Sequence, residues 1–235
     1  YKDTPYIAGY EILSEPHPKD PFTEEDVKNF YRTNIAAIRK YDTRTPTIIG
    51  AGKAKGCLTG TYDVRCLEGI YLENTPNMIY TFNFYEPPQY VKTDLQKDDG
   101  VYEPYPGTFI EKKTGAKFYV DKNYLAGLIK YGADFSTKYN VPLFVNQIGV
   151  TMITPGSDQY TTDALSLLTQ NGIGFTWWLY RQPDDKHSLH EGSRAVLWEQ
   201  KAEKQDKTGT STWYRNEKLI GLLTQFFGKM PEDIK

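Results

Sequence analysis

The chain has 235 residues, enough for one large domain or two small ones. A net charge of −2 and a charged fraction of 25% give no reason to expect a nucleic-acid or anionic-membrane partner. No apolar run reaches the roughly 18 residues that would predict a bilayer span. Aromatic residues are abundant, with 19 tyrosines and 4 tryptophans. Their faces stack on sugars, but tyrosine also fills cores and covers surfaces, so composition leaves both interpretations open.

The first half of the chain predicts strands separated by one helix. Residues 6–13, 46–50 and 78–84 are apolar runs of strand length. Between the first two, Thr23 is the predicted N-cap of a helix, and Asp26 completes a capping-box-like pattern. The apolar residues that follow at helical spacing are Val27, Phe30, Tyr31, Ile35 and Ile38.

The second half opens with a predicted long loop over residues 86–120, which is rich in Tyr, Pro, Gly and Lys. Loops of this length are usually functional or disordered. The remaining predictions are a helix over about 122–139, a strand over 142–150, a helix over 157–170, a strand over 173–180, a loop over 181–212, and a helix over 216–227 with Gly228 as its C-cap. The strands are apolar on both faces, as in a parallel sheet covered by helices.

The alternation of strands and helices therefore predicts an α/β fold. No glycine-rich phosphate fingerprint follows any strand, which counts against a dinucleotide-binding domain. Instead, polar residues gather where the strands end, and a (β/α)8 barrel keeps its active site at that end. We therefore expect a TIM barrel.

The cysteines and histidines give little metal chemistry. Cys57 and Cys66 lie in one loop-like stretch and form a possible disulfide, which would indicate an oxidising compartment; two unpaired thiols are the alternative. The three histidines, His17, His187 and His190, are scattered. We predict no metal site and no cofactor.

Four strand ends carry the resemblance to a known family. They read Ser-Glu-Pro-His over 14–17, Asn-Phe-Tyr-Glu over 83–86, Asn-Gln-Ile-Gly over 146–149 and Thr-Trp-Trp over 176–178. In that order they resemble the ends of barrel strands 4, 6, 7 and 8 of clan A glycoside hydrolases, especially family 5, the cellulase and mannanase family. Those ends usually read Asn-Glu-Pro, His-x-Tyr, Glu-aromatic-Gly and a conserved tryptophan. The resemblance covers nearly the whole chain.

The resemblance begins at barrel strand 4, so strands 1–3 have no counterpart and about five of eight βα units are present. It implies one glycoside-hydrolase-like barrel domain over residues 1–235. Such a partial barrel would expose unpaired strand edges. We therefore expect a companion polypeptide or segment that carries strands 1–3. The start at Tyr1 rather than Met agrees with a processed or incomplete polypeptide.

The resemblance assigns the two catalytic positions of a retaining glycosidase. Glu15 takes the acid/base position and Gln147 the nucleophile position. Retaining enzymes use two carboxyl groups about 5 Å apart. An amide is a poor nucleophile and carries no charge to stabilise an oxocarbenium ion. Two neighbours also depart from the family pattern, since Ser14 replaces the usual Asn and Asn83 the usual His.

Other residues of the same motifs are expected to bind sugar without hydrolysis. Trp178 would supply a stacking platform and Tyr85 a hydroxyl. The expected hydrogen-bonding side chains are Ser14, His17, Asn83 and Gln147. Trp177 is expected to pack in the core, and ordinary loop polarity is the alternative for His17.

Two further carboxylates need an interpretation. Glu86 is the nearest candidate in sequence for a replacement catalytic carboxylate, although its loop position makes its reach doubtful. Glu11 has the same strand parity as Glu15, so both should point into the barrel. Glu11 lies about 13 Å further down, and we interpret it as a buried structural residue.

These observations favour a family 5-like protein that is catalytically impaired and acts as a carbohydrate-binding or structural module, extracellular or at the cell surface. An oligo- or polysaccharide is its expected partner. The alternative is an active retaining β-glycan hydrolase that uses a different carboxylate set, or a Glu-to-Gln inactivated form of one. A barrel fragment that serves only as an assembly component, without sugar, is the third hypothesis.

Overall fold

The computed structural model describes residues 1–17, 22–51, 64–91, 102–111, 113–150, 154–178, 198–200, 213–215 and 217–229. Within these ranges the strands are β1 (Tyr10–Glu11), β2 (Thr47–Gly50), β3 (Met78–Phe84), β4 (Gly107–Ile110), β5 (Lys117–Val120), β6 (Leu143–Ile148), β7 (Gly174–Trp177), β8 (Trp198–Gln200) and β9 (Trp213–Arg215). The helices are α1 (Glu24–Arg39), α2 (Pro88–Val91), α3 (Lys122–Tyr139), α4 (Ser157–Gln170) and α5 (Glu217–Leu223). No helix in the described part of the chain is both long and apolar enough to cross a membrane.

Five strands form the main sheet, in the order β1-β2-β3-β6-β7. β1 runs parallel to β2, and β2 runs parallel to β3. Apart from the small β4–β5 hairpin, this order follows the chain, with α1, α3 and α4 in the crossovers. The prediction of a partial α/β barrel is confirmed.

The N-terminus of α1 forms as the sequence predicts. The Asp26 backbone N–H donates to Thr23 Oγ1 at 3.4 Å, and the Thr23 backbone N–H donates to Asp26 Oδ2 at 2.7 Å. This reciprocal capping box satisfies donors that the first turn of a helix otherwise leaves unpaired. The face of α1 that carries Val27, Tyr31 and Ile35 is buried.

Several predicted element bounds are wrong. β1 covers two residues rather than 6–13, because the chain before it folds into turns in which Ile7 N–H donates to the Thr4 carbonyl at 3.3 Å. The region 181–212 contains β8, which pairs antiparallel with β9, and its other residues lie outside the described ranges. The last helix ends at Leu223, and Gly228 has a left-handed φ of 72° in the turns that follow.

The predicted long loop over 86–120 is also wrong, because it contains α2 and the β4–β5 hairpin. The hairpin register pairs Gly107 with Val120 and Ile110 with Lys117. Burial alternates along β4, as expected for a hairpin with one face on the protein and one in water. The sequence Gly-Thr-Phe-Ile shows no matching alternation of polarity, because the exposed Ile110 is as apolar as the buried Phe109.

Contacts divide the chain into two compact units. The first unit comprises Tyr1–Phe84, Leu128–Asn146 and Ile173–Phe175, and the second comprises Tyr85–Gly127, Gln147–Gly172 and Thr176–Lys235. The first has its core along β3, where Tyr80 and Phe82 are each 1% exposed. The second has a core of tyrosines, in which Tyr90 and Tyr160 have ring centroids 5.2 Å apart. That residues 1–235 form one barrel domain stays a prediction.

Within the first unit the sheet is strongly curved. Glu11 in β1 and Asn146 in β6 are separated by two intervening strands, yet Asn146 Nδ2 donates to Glu11 Oε1 at 2.8 Å. Three strand spacings would separate β1 and β6 by about 14 Å in a flat sheet. Side chains standing perpendicular to a flat sheet could not bridge that gap. The concave face of a barrel sheet explains the contact.

Candidate active site

Glu15 lies just beyond the carboxyl end of β1. The strand is extended by the Ile12 N–H, which donates to the Ile48 carbonyl at 3.2 Å, before the chain turns. Glu15 is partly buried and has a left-handed φ of 51°. That conformation costs a residue other than glycine about 1–2 kcal/mol. Non-glycine residues in such conformations often mark functional sites.

Asn83 holds the Glu15 side chain within the first unit. It lies in β3, is 7% exposed, and its Nδ2 donates to Glu15 Oε1 at 2.6 Å. The contact orients the carboxyl group at the position that the family pattern assigns to the acid/base residue.

Gln147 lies near the carboxyl end of β6 and belongs to the second unit. It is partly buried, and Tyr85, the residue after β3, donates its hydroxyl to Gln147 Oε1 at 3.1 Å. The amide oxygen therefore accepts a hydrogen bond that a carboxylate oxygen in its place could also accept. The Tyr85–Gln147 pair was not predicted as a contact, because the two residues lie 62 positions apart.

Trp178 is anchored next to the same strand end. Its backbone N–H donates to the Ile148 carbonyl at 2.8 Å, and its side chain is 41% exposed. Gly149 permits this approach, since a Cβ added there would lie 2.4 Å from the Trp178 carbonyl oxygen and 3.9 Å from the Tyr85 ring. An accessible indole thus lies at the strand end that carries Gln147.

The remaining predicted binding residues flank Glu15. Ser14 and His17 are both exposed, whereas Pro16 is buried. Trp177 is partly buried, and its packing in the core stays a prediction. The binding roles of Ser14 and His17 stay predictions.

Glu86, the candidate replacement carboxylate, lies in a buried setting. It is 8% exposed, and its backbone carbonyl accepts the Tyr160 hydroxyl at 2.6 Å. Burial, reinforced by the charge of Glu86, raises the pKa of Tyr160 well above its usual value. The surroundings of Glu86 within the second unit are therefore those of the tyrosine core.

Glu11 is exposed, so the expectation that it is a buried residue is wrong. The physical reason is its strand, because β1 lies at one end of the main sheet in the described part of the chain. A side chain on the end strand has a neighbouring strand on one side only. Glu11 bonds to Asn146 on the concave face of the sheet rather than packing in a core.

The structure describes one of the two cysteines. Cys66 is buried and forms a disulfide, while Cys57 lies outside the described residues. His187 and His190 also lie outside them. In the described ranges no group of three or more His, Cys, Asp or Glu residues is arranged to hold a metal ion.

The fold and these strand ends define a class of protein, the barrel-type glycoside hydrolases. The family model for cellulase, glycosyl hydrolase family 5, matches residues 1–184. The chain therefore belongs to glycosyl hydrolase family 5, and the resemblance drawn from its four strand ends is confirmed.

Solved structures support the same fold. The endoglucanase Cel5A from the hyperthermophile Thermotoga maritima is 18% identical with a TM-score of 0.61, and the match covers 77% of this chain and 55% of that one. A hyperthermophilic endo-β-1,4-glucanase in complex with substrate is 18% identical with a TM-score of 0.58, covering 87% and 56%. The cellulose synthase subunit Z of Clostridioides difficile is 16% identical with a TM-score of 0.57, covering 74% and 54%.

At these identities the likeness shows the fold alone. The chain spans little more than half the length of each of these three structures. No curated protein sequence gives a significant match.

Proposed function

We propose that this chain is a carbohydrate-binding member of its family in which retaining hydrolysis is impaired. The observation that carries the proposal is the amide of Gln147, which accepts the Tyr85 hydroxyl at 3.1 Å and which we assign to the family's nucleophile position. Covalent catalysis at a sugar needs a carboxylate there, both to form the glycosyl-enzyme bond and to stabilise positive charge. A neutral amide supplies neither.

Sugar binding does not depend on that carboxylate. Trp178 presents an indole that is 41% exposed beside the Gln147 strand end, and an indole face packs well against the C–H face of a pyranose. Tyr85 and Gln147 add a hydroxyl and an amide that can exchange hydrogen bonds with sugar hydroxyls. We assign Glu15 to the acid/base position, with Asn83 as its orienting donor.

The decisive test compares turnover with binding. The chain should release no detectable product from a panel of chromogenic β-glucosides and β-mannosides, yet should bind cello- or manno-oligosaccharides in calorimetry. Turnover that Glu15→Ala abolishes would refute the proposal and support the alternative of an active hydrolase with another carboxylate set. Absence of both turnover and glycan binding would leave the assembly-component hypothesis.

We further propose that the protein works outside the cell or at its surface. The disulfide at Cys66 supports this, because disulfides persist in oxidising compartments and are rare in reducing ones. Immunodetection in the medium and in the cell fractions of the native host tests the proposal. Recovery from the cytosol with a free Cys66 thiol would contradict it.

A companion polypeptide or segment that carries the first three βα units is the third part of the proposal. Among the described residues β1 is the end strand of the main sheet. One of its edges pairs with β2, and its other edge is the one that a further strand would join. Beside this edge lies a cavity of about 540 Å³ that Tyr10, Ile12, Ile38 and Tyr41 help to line. A further strand pairing in parallel with β1 would be joined to it by a crossover helix. We expect that helix to pack in the cavity beside β1.

Apolar side chains beside this cavity support the same partner. Phe30 and Tyr41 are 42% and 79% exposed. Phe30 lies one helical turn before Asn34, which lines the cavity, so both point to the same side of α1. The apolar surface of α1 therefore extends beyond its buried face. Such an extension indicates that a further element packs there.

Co-purification tests the companion. The chain should co-purify with a co-expressed polypeptide that carries the first three βα units of a family 5 barrel. Phe30→Asp combined with Tyr41→Asp should abolish the complex, whereas Tyr131→Asp on α3, where Tyr131 is 57% exposed, should leave it intact. Equal recovery of the complex with both variants would exclude this surface.

A further inference from the structure

The β4–β5 hairpin of the second unit has an outward face that the site around Gln147 does not use. The inward residues Phe109 and Val120 are 3% and 0% exposed. The opposite face is exposed along both strands, with Ile110 55% and Tyr119 58% exposed. We call this face the hairpin platform; its residues are Thr108, Ile110, Lys117 and Tyr119.

The strand register fixes the arrangement of the platform. Thr108 lies directly opposite Tyr119, and Ile110 lies directly opposite Lys117. Side chains on one face of an antiparallel pair lie about 5 Å apart when opposite and about 7–8 Å apart on the diagonal. Tyr119 and Ile110 therefore form an apolar diagonal, with a hydroxyl and an ammonium group at the two remaining corners.

The platform rests on an ordered base. Phe109 packs edge-on against Tyr90 at 5.8 Å, and the Tyr90 hydroxyl donates to the Pro155 carbonyl at 3.0 Å. The turn between the strands is closed by the Glu111 N–H, which donates to the Ala116 carbonyl at 2.9 Å. A ligand that binds a surface held in this way has little ordering entropy to overcome.

The hairpin belongs to a connection that begins at the candidate site. This connection leaves the carboxyl end of β3, and Tyr85 opens it. The base of the hairpin is tied to the connection that follows β6, because the Tyr105 N–H donates to the Pro155 carbonyl at 2.9 Å. Both connections leave the strand ends at which Tyr85 and Gln147 meet.

We propose that the hairpin platform binds a β-linked glucan chain beyond the site around Gln147. This inference rests on the proposed carbohydrate-binding function. The Tyr119 ring stacks on a pyranose, Ile110 extends the apolar contact, and Thr108 and Lys117 hydrogen-bond to sugar hydroxyls. A protein partner fits less well, because two apolar side chains offer far less than the roughly 800 Å² per partner that a stable interface buries.

The experiment compares two tyrosines of matched exposure. Tyr119→Ala should lower affinity for a long soluble β-glucan, measured by affinity electrophoresis, by about five- to tenfold, in line with the loss of one aromatic stacking contact. Its affinity for cellotriose, measured by calorimetry, should not change. Tyr131→Ala on α3, with Tyr131 57% exposed, should alter neither, and Tyr119→Phe should retain polymer binding.

The outcomes separate this inference from the proposed function. If cellotriose binds but polymer affinity is the same in Tyr119→Ala and Tyr131→Ala, the platform is refuted and the proposed function stands. If cellotriose does not bind while Tyr119→Ala still weakens polymer binding, the proposed site around Gln147 fails and the platform stands. Sedimentation could instead show a concentration-dependent dimer that Tyr119→Ala dissociates. That result would overturn the proposal, because the platform would then bind a second copy of the chain rather than a glucan. Unchanged thermal unfolding of Tyr119→Ala excludes misfolding as the cause of a loss.

Discussion

The strand ends that carry Glu15 and Gln147 have similar hydrogen bonding but different chemistry. Each side chain accepts a hydrogen bond from a neutral donor at the end of β3: Asn83 Nδ2 at 2.6 Å for Glu15 and the Tyr85 hydroxyl at 3.1 Å for Gln147. A neutral donor can satisfy either an amide oxygen or a carboxylate oxygen, although the bond to a charged oxygen is stronger. If position 147 is the nucleophile position, as we propose, an amide there would remove catalytic chemistry while the Tyr85 hydroxyl keeps an acceptor.

The two strand ends also differ in backbone conformation. Glu15 keeps the carboxyl group and sits at a φ of 51°, whereas Gln147 has no such backbone conformation. The position that carries a carboxyl group is thus the one held in an unfavourable conformation. Substitutions at the two strand ends show how much of their functional difference the one functional group accounts for.

Restoring the carboxylate should have the largest effect. If the rest of the machinery is intact, Gln147→Glu should raise hydrolysis of a chromogenic β-glucoside by about three orders of magnitude, equivalent to roughly 4 kcal/mol of transition-state stabilisation. The assay is made on the chain with and without a polypeptide carrying the first three βα units. Gln147→Ala is the control, because it removes the amide without adding a nucleophile. No gain in either setting would point to Ser14 and Asn83 as further causes of impairment.

Removing the other carboxyl group should cancel that gain. In the Gln147→Glu background, Glu15→Gln should lower the rate constant by about 10²–10⁴-fold, the usual contribution of a general acid–base residue. The matched control is Glu11→Gln, which alters an exposed carboxylate on β1, the strand that precedes Glu15. If both variants lose activity equally, Glu15 has no special role and the assignment of the acid/base position is wrong.

The two donors should differ in their contribution to stability. Asn83→Ala should lower the free energy of unfolding by about 2 kcal/mol, since hydrogen bonds to charged groups contribute roughly 1.5–3 kcal/mol. Tyr85→Phe removes a bond between neutral groups and should cost about 1 kcal/mol. Urea unfolding at neutral pH measures both. Equal losses would show that the charge of Glu15 adds nothing to its contact with Asn83.

The smallest expected effect on function concerns the indole. Trp178→Ala should weaken cello-oligosaccharide binding about tenfold, a loss of roughly 1.4 kcal/mol. Trp178→Phe should recover part of this loss, because a smaller ring can still stack on a sugar. Calorimetric titration checks the prediction. An unchanged dissociation constant for Trp178→Ala would remove the indole from the binding site.

Much of the fold could be predicted because it depends on local patterns. The capping box of Thr23 and Asp26 spans four residues, and β3, α3 and α4 follow from apolar runs and helical spacing. The four strand-end motifs were equally local, and they were enough to identify the family that the match over residues 1–184 shows.

The errors arise where distant residues decide the outcome. Strand parity led to the expectation that Glu11 is buried. It reveals neither the position of β1 at the end of the sheet nor the curvature that brings Asn146 to Glu11 from 135 residues away. The β4–β5 hairpin lies in a region whose Tyr, Pro and Gly content is typical of a loop. Its base packs on a core of tyrosines assembled from separate connections.

By itself, the sequence determined the family, the order of the strands and the identity of the residues at their ends, including the amide at position 147. Only the tertiary structure decided which side chains bond to one another, because Asn83 and Glu15 are 68 residues apart and Tyr85 and Gln147 are 62 apart. Contacts at such separations form when strands assemble side by side in a sheet. Periodicity within one strand specifies its faces but not the donor that its terminal side chain will meet.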